Sequence, residues 1–152
     1  MPVHKHLIIR AEVRYPITSE RELKKWLRNL VKKIDMKIIK GPYAAYVSKE
    51  GNRGLTGIVM IETSHISIHI WDEDLPALVQ CDVYSCEEFS TSEVLRHLFV
   101  MRPVKTESTL HAYEIEHLLL DRGKTIELRR IDVKNAHRHM ATSFSGVKNV
   151  EN

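Results

Sequence analysis

The sequence predicts an α+β two-layer sandwich, a mainly antiparallel sheet with helices on one face. Two observations lead there. Most of the chain reads as short β stretches, while only two segments carry apolar residues at helical spacing, each opened by a Ser-x-x-Glu capping box. The order is strand, helix, strands, helix, strands, which places helices over one side of a sheet built largely from neighbouring strands.

In chain order, His6 to Val13 reads as a strand, with Leu7, Ile9, Ala11 and Val13 alternating against Ile8, Arg10 and Glu12. Ser19 to Ile34 reads as a helix. Ser19 and Glu22 form its capping box, and Leu23, Trp26, Leu27, Leu30, Val31 and Ile34 make one apolar stripe. Lys24, Lys25, Arg28, Lys32 and Lys33 read as its solvated face. Lys37 to Ser48 is a second strand, broken or bulged at Gly41-Pro42, and residues 49–54 form a loop. Leu55 to Glu62, Ile66 to Trp71 and Leu78 to Ser85 are three further strands, the last following a turn with Asp72, Glu73, Asp74 and Pro76. Ser90 with Glu93 opens a short helix carrying Val94, Leu95, Leu98 and Phe99, and Pro103 marks its end. Thr109 to Leu120 returns to strand character, Arg122-Gly123-Lys124 is a turn, and Thr125 to Val133 is a last strand. Asn135 to Asn152 reads as a loose polar tail. One domain over residues 1–134 followed by the tail at 135–152 is the expected organisation, with no repeat or linker.

At 152 residues and 17.7 kDa the chain is long enough for one core without disulfide staples. Its 43% hydrophobic and 28% charged content excludes collagen-like and disordered chains. No apolar run suits a membrane helix, and Arg10, Glu12 and Arg14 interrupt the start, so no signal peptide is expected. A net charge of +3 is too small for a dedicated nucleic-acid binder. Two cysteines, Cys81 and Cys86, make no disulfide framework, which fits a reducing cytoplasm.

The chemically informative stretch runs from Glu62 to Trp71. Alternation puts Ile66, Ile68 and Ile70 on the core face, and His65, Ser67, His69 and Trp71 on the other, with Ser64 at the start. On spacing alone that second face reads as a solvent face. Its two histidines could also ligate a metal, but no third ligand has a defined spacing, so no metal is expected. On the next strand Cys81 shares a face with Val79 and Val83 and reads as a small buried hydrophobe. Cys86 shares a face with Asp82 and Tyr84 at the strand's end. By periodicity alone either cysteine reads as structural.

Ser64-His65-Ile66-Ser67-Ile68-His69, then Trp71 and Glu73, then Asp82-Val83-Tyr84-Ser85-Cys86, resemble the S-adenosylmethionine decarboxylase proenzymes of bacteria and archaea. That family shows Glu-Ser-His-hydrophobic-Ser/Thr-Ile-His-Thr-Trp-Pro-Glu, and later Asp-hydrophobic-Phe-Thr-Cys-Gly. His6-Leu7-Ile8 resembles the family's start, and the likeness spans about residues 4–120. The resemblance implies a pyruvoyl enzyme whose cofactor is made from Ser64. The hydroxyl attacks the carbonyl of Thr63, the resulting ester eliminates, and the new terminus becomes a ketone. That ketone forms a Schiff base with the substrate amine and accepts electrons as carbon dioxide leaves. By the same resemblance His69 is the processing base and Cys86 the general acid in turnover. Thr56 supplies a hydroxyl that assists processing, and Trp71, Glu73 and His65 belong to the substrate-binding part of the site.

The sequence departs from the family at Glu62 (for Ser), Thr63 (for Glu), Asp72 (for Pro) and Glu87 (for Gly). Glu87 removes a residue that takes positive φ cheaply, and β-branched Thr63 is expected to hinder the strained turn that ester formation needs. The leading expectation is a decarboxylase of S-adenosylmethionine for polyamine synthesis. It acts on a small molecule as a cytoplasmic homodimer, without nucleic-acid or membrane partners. The alternatives are a decarboxylase of another amino acid, such as arginine or ornithine, and an uncleaved relative acting as a binding or regulatory partner.

Overall fold

The computed structural model describes residues 4–104, 110–116 and 128–130. Its elements are β1 (Lys5–Val13), α1 (Glu20–Lys33), β2 (Ile38–Val47), β3 (Gly54–Ile61), β4 (Ser64–Trp71), β5 (Ala77–Ser85), α2 (Thr91–Leu98) with a short 3-10 turn Phe99–Met101, β6 (Leu110–Glu116) and β7 (Leu128–Arg130). The strands form one sheet in the order β2-β3-β4-β5-β1-β6-β7. Every pairing in it is antiparallel. The expected α+β sandwich is therefore the observed one.

Local chemistry explains the helix starts. Ser19 Oγ accepts the Glu22 N–H at 3.4 Å, and Ser90 Oγ accepts the Glu93 N–H at 3.3 Å, so each predicted cap satisfies an otherwise orphaned donor. Strand β2 is bulged where expected, with register shifts between Ile38 and Lys40 and between Lys40 and Tyr43. Gly41 takes φ +87 there, which a side chain would resist. The fourth strand begins at Ser64, two residues before the alternation of isoleucines suggested, because backbone pairing continues to the tight turn. Within the expected strands at 109–120 and 125–133 lie β6 and β7, and the other residues of both ranges fall outside the described residues. The turn at 122–124 and the tail at 135–152 lie outside the described residues.

The sheet has one dry face and one open face. Leu7, Ile9, Ala11 and Val13 of β1 share the dry face with Leu55, Val59 and Ile61 of β3. Ile66, Ile68 and Ile70 of β4 and Val79, Cys81 and Val83 of β5 complete it. Leu23, Trp26, Leu27, Leu30 and Val31 of α1 and Val94, Leu95 and Leu98 of α2 cover this face. The indole N–H of Trp26 donates to the His97 carbonyl at 3.2 Å and ties the helices together. Cys81 is buried as expected, and burial pushes its thiol well up, away from ionisation. Among the described residues no helix is long and apolar enough to cross a membrane.

Gly57 lies where α1 rests most closely on β3. A Cβ there would stand 2.8 Å from Leu23 Cδ2 and 3.1 Å from Leu27 Cδ1, and both leucines are fully buried. Gly57→Val is therefore expected to destabilise the fold by about 1–3 kcal/mol by forcing α1 away from the sheet. A urea titration with an unchanged midpoint would show that the helix can move aside freely.

Candidate active site

The open face collects the polar side chains. Antiparallel register sets β4 between β3 and β5, so that Thr56, His69 and Gln80 form one lateral row. Ile58, Ser67 and Asp82 form the next, and Met60, His65 and Tyr84 the third. Beyond the third row the chain turns tightly through Glu62 and Thr63, and Ser64 pairs with Ile61 on one side and Ser85 on the other.

The Thr63–Ser64 peptide is set apart by its backbone. Ser64 takes φ +149, a region sparsely populated by residues with a Cβ. Thr63 is not among the positive-φ residues, and the unusual φ of this turn is at the serine. The carbonyl oxygen of Thr63 accepts the backbone N–H of Cys86 at 2.9 Å. That bond joins the β3–β4 turn to the bend just after β5, where Cys86 stands as a half-buried free thiol. Glu87 also avoids positive φ and gives its N–H to Ser85 Oγ at 2.9 Å, so the bend does not need the expected glycine.

A polar network lies beside Ser64. Ser64 Oγ and His65 Nδ1 share a hydrogen bond of 3.1 Å. His65 Nε2 lies 3.4 Å from Asp82 Oδ2, and His6 Nε2 donates to the same oxygen at 3.0 Å. Ser67 Oγ donates to Asp82 Oδ1. His4 Nδ1 bonds the Tyr84 hydroxyl at 2.8 Å, and the Tyr84 ring meets those of His6 and His65 at centroid distances of 5.2 and 5.9 Å. Burial pushes the Asp82 carboxyl upward. The hydrogen bonds from His6 and Ser67, with the nearby His6 and His65, outweigh that and hold it below the ordinary carboxylate value. Both imidazoles touch the carboxylate directly, and among the described residues no group of three or more His, Cys, Asp or Glu side chains could hold a metal ion.

The other named residues gather at the far end of β4. His69 Nδ1 bonds Thr56 Oγ1 at 3.2 Å, and its ring stacks on Trp71 at 5.7 Å. Trp71 Nε1 donates to Asn52 Oδ1 at 2.9 Å, and Glu73 Oε1 accepts the Gly51 N–H at 2.9 Å. Five residues of strand separate His69 from Ser64, about 16 Å at roughly 3.3 Å per residue. The chain thus holds two clusters. Thr63, Ser64, His65 and Cys86 form one, and Thr56, His69, Trp71 and Glu73 form the other.

The departures from the motif each have a local partner. Lys37 Nζ donates to Glu62 Oε1 at 3.0 Å, and Thr63 Oγ1 donates to Met36 Sδ at 3.2 Å. Asp72 accepts the Tyr46 hydroxyl at 2.9 Å and gives its own N–H to Arg53 at 3.2 Å, a bond proline could not make. Asp82 and His6 were given no role by the sequence. Alternation marked Asp82 as facing away from the core, but only the cross-strand register brings it under both histidines.

A family model described as S-adenosylmethionine decarboxylase matches residues 10–109. A protein named S-adenosylmethionine decarboxylase proenzyme, from Archaeoglobus fulgidus, is 32% identical over 107 residues, which are 70% of this chain and 84% of that one. A protein of the same name from Clostridium botulinum (strain Langeland) is 32% identical over 73 residues, 47% of this chain and 58% of that one.

The lowered Asp82 pKa has a measurable consequence. A carboxylate held low stabilises the fold above its unfolded value, about 3.9, and that stability is lost as pH falls through the lower folded value. Stability measured in urea between about pH 2 and pH 5 should therefore fall less steeply for Asp82→Asn than for the wild type. Parallel curves would show that folding leaves this carboxyl unperturbed.

Proposed function

The chain belongs to the S-adenosylmethionine decarboxylase family, and on that premise we propose that it cleaves itself at Thr63–Ser64 and decarboxylates S-adenosylmethionine with the pyruvoyl group so formed. The observation that carries this reading is the Thr63–Ser64 peptide itself. Its serine is strained at φ +149, its carbonyl is held by the Cys86 N–H at 2.9 Å, and it lies where the family motif has its processed bond. Positive-φ strain is relieved if the peptide is lost. A fixed N–H on the carbonyl oxygen stabilises the negative charge that grows there as Ser64 Oγ attacks. Ser64, whose hydroxyl is bonded to the His65 ring at 3.1 Å and stands next to the Thr63 carbonyl in the chain, fits the requirement for a pyruvoyl precursor.

The pyruvoyl group would supply the electron sink for loss of carbon dioxide. The chain's own residues do the rest. His69, with Thr56 bonded to its Nδ1, is the base that removes the Ser64 α-proton. Cys86, beside the processed bond and still a free thiol, returns a proton to the product. Trp71 and Glu73 border the substrate.

Because His69 stands about 16 Å along the strand from Ser64, it cannot serve the serine of its own chain. A homodimer resolves this. Ile8, Ile58 and Met60 stand exposed among the histidines of the open face, and a second copy laid antiparallel across it covers them. That arrangement sets the Thr56–His69 end of each chain against the Ser64 end of the other. The single catalytic domain spans residues 1–134, and the two unpaired thiols suit a cytoplasmic enzyme. Arginine or ornithine as substrate, and an uncleaved regulatory relative, are not favoured, since the matching family is described by S-adenosylmethionine decarboxylation.

Two experiments test this. Intact mass under denaturing conditions should show the 152-residue chain split after Thr63, with carbon dioxide released from carboxyl-labelled S-adenosylmethionine, while Ser64→Ala stays whole. A wild-type chain that remains whole after prolonged incubation sinks the reading. The dimer is tested by mixing two inactive variants. Co-expressed Ser64→Ala and His69→Ala chains should yield cleavage of the His69→Ala chain alone, because its serine meets the intact histidine of the other copy. No cleavage in the mixture would place both steps within one chain.

A further inference from the structure

We propose that His65, oriented by Asp82, is the base that activates the Ser64 hydroxyl for attack on the Thr63 carbonyl, a step separate from the elimination assigned to His69. The inference rests on the self-processing reading above and adds a catalytic residue to it.

The geometry brings a serine, a histidine and a carboxylate together, with the imidazole between the other two. Among the described residues His65 is the imidazole bonded to Ser64 Oγ, at 3.1 Å through Nδ1. Its other nitrogen lies 3.4 Å from Asp82 Oδ2. A carboxylate beside Nε2 keeps the proton on that nitrogen, which leaves the Nδ1 lone pair facing the hydroxyl. Asp82 is itself held in place by Ser67 and by His6 at 3.0 Å, so its orientation does not depend on His65. The same pattern of nucleophile, base and orienting acid activates hydroxyls on unrelated folds and is recognised by geometry. His69, bonded instead to Thr56, has no path to this hydroxyl within the chain.

The step balances without any further reactant. The Ser64 Oγ proton passes to His65 Nδ1 while Oγ bonds to the Thr63 carbonyl carbon. The carbonyl oxygen carries the charge against the Cys86 N–H. The carbon–nitrogen bond then breaks, His65 returns the proton to the Ser64 nitrogen, and an ester with a free amine remains. His65 ends as it began. Asp82 never touches the reacting atoms and is a positioning residue.

Two bases for two steps predict two different stalled species. Hydroxylamine cleaves an ester far faster than an amide, so it separates them. In the full-length chain His69→Ala should accumulate hydroxylamine-sensitive ester. His65→Ala should stop before it, slowed by about 10²–10⁴-fold and resistant to hydroxylamine. Free imidazole should fill the gap left by the ring and restore cleavage of His65→Ala. Asp82→Glu should process faster than Asp82→Asn, although Asn is the closer match in shape, because the role needs the charge. A His65→Ala chain that cleaves at the wild-type rate, that accumulates ester, or that imidazole does not rescue would overturn the proposal. So would an Asp82→Asn chain that outpaces Asp82→Glu. A wild-type chain that never cleaves sinks the self-processing reading first, and this inference with it.

Discussion

Strand β4 is locked in register between β3 and β5, and the rest of the site depends on that constraint. The ladder pairs Thr56 with His69 on one side and Ser67 with Asp82 on the other. It also carries the β3–β4 turn far enough for the Thr63 carbonyl to meet the Cys86 N–H. A slip of one residue would turn His65, Ser67 and His69 into the core and expose Ile66, Ile68 and Ile70. The register is held because that exchange would bury three polar side chains and expose three isoleucines that are now almost fully buried. The hydrophobic pattern of the dry face therefore sets the geometry of the open one.

The same strand explains why the site is divided. A strand displaces residues by about 3.3 Å each, so the five positions from Ser64 to His69 place them at opposite ends of β4. Both residues are fixed to the sheet by cross-strand partners on β3 and β5. A helix would have put residues four apart on one face within contact distance. In a strand no such return occurs, and the two clusters stay at opposite ends of β4.

Strain and polar support are concentrated at the Thr63–Ser64 peptide. Ser64 carries an unfavourable φ at a turn whose other residues avoid it, and conformations of that kind persist only where the surroundings overdetermine them. Here the surroundings are the pairings with Ile61 and Ser85, the Cys86 N–H on the preceding carbonyl, and the bond to His65. Asp82 is half-buried yet held ionised by His6 and Ser67, so the network keeps a fixed negative charge under His65. The substitutions that depart from the motif, at Glu62, Thr63 and Asp72, bond to neighbours outside this network.

The order of elements, the two capped helices, the bulge at Gly41 and the two faces of β4 were all legible in the sequence. Each follows from contacts between residues near in sequence or from a fixed period. Ser19 and Glu22 are three residues apart, and alternation separates Cys81 from Asp82 without reference to any other strand. The candidate residues Ser64, His69 and Cys86 were legible too, because a motif is a local string. Their partners were not. That His69 bonds Thr56, that Cys86 reaches Thr63 through its backbone, and that His65 and His6 both come to Asp82 on the fifth strand are consequences of pairing between distant segments. Periodicity says which face a side chain takes but not what lies beside it, since register between strands depends on the whole core being buried at once. The order of residues names the groups that this protein brings to its sheet, and the pairing of distant strands selects which of them meet.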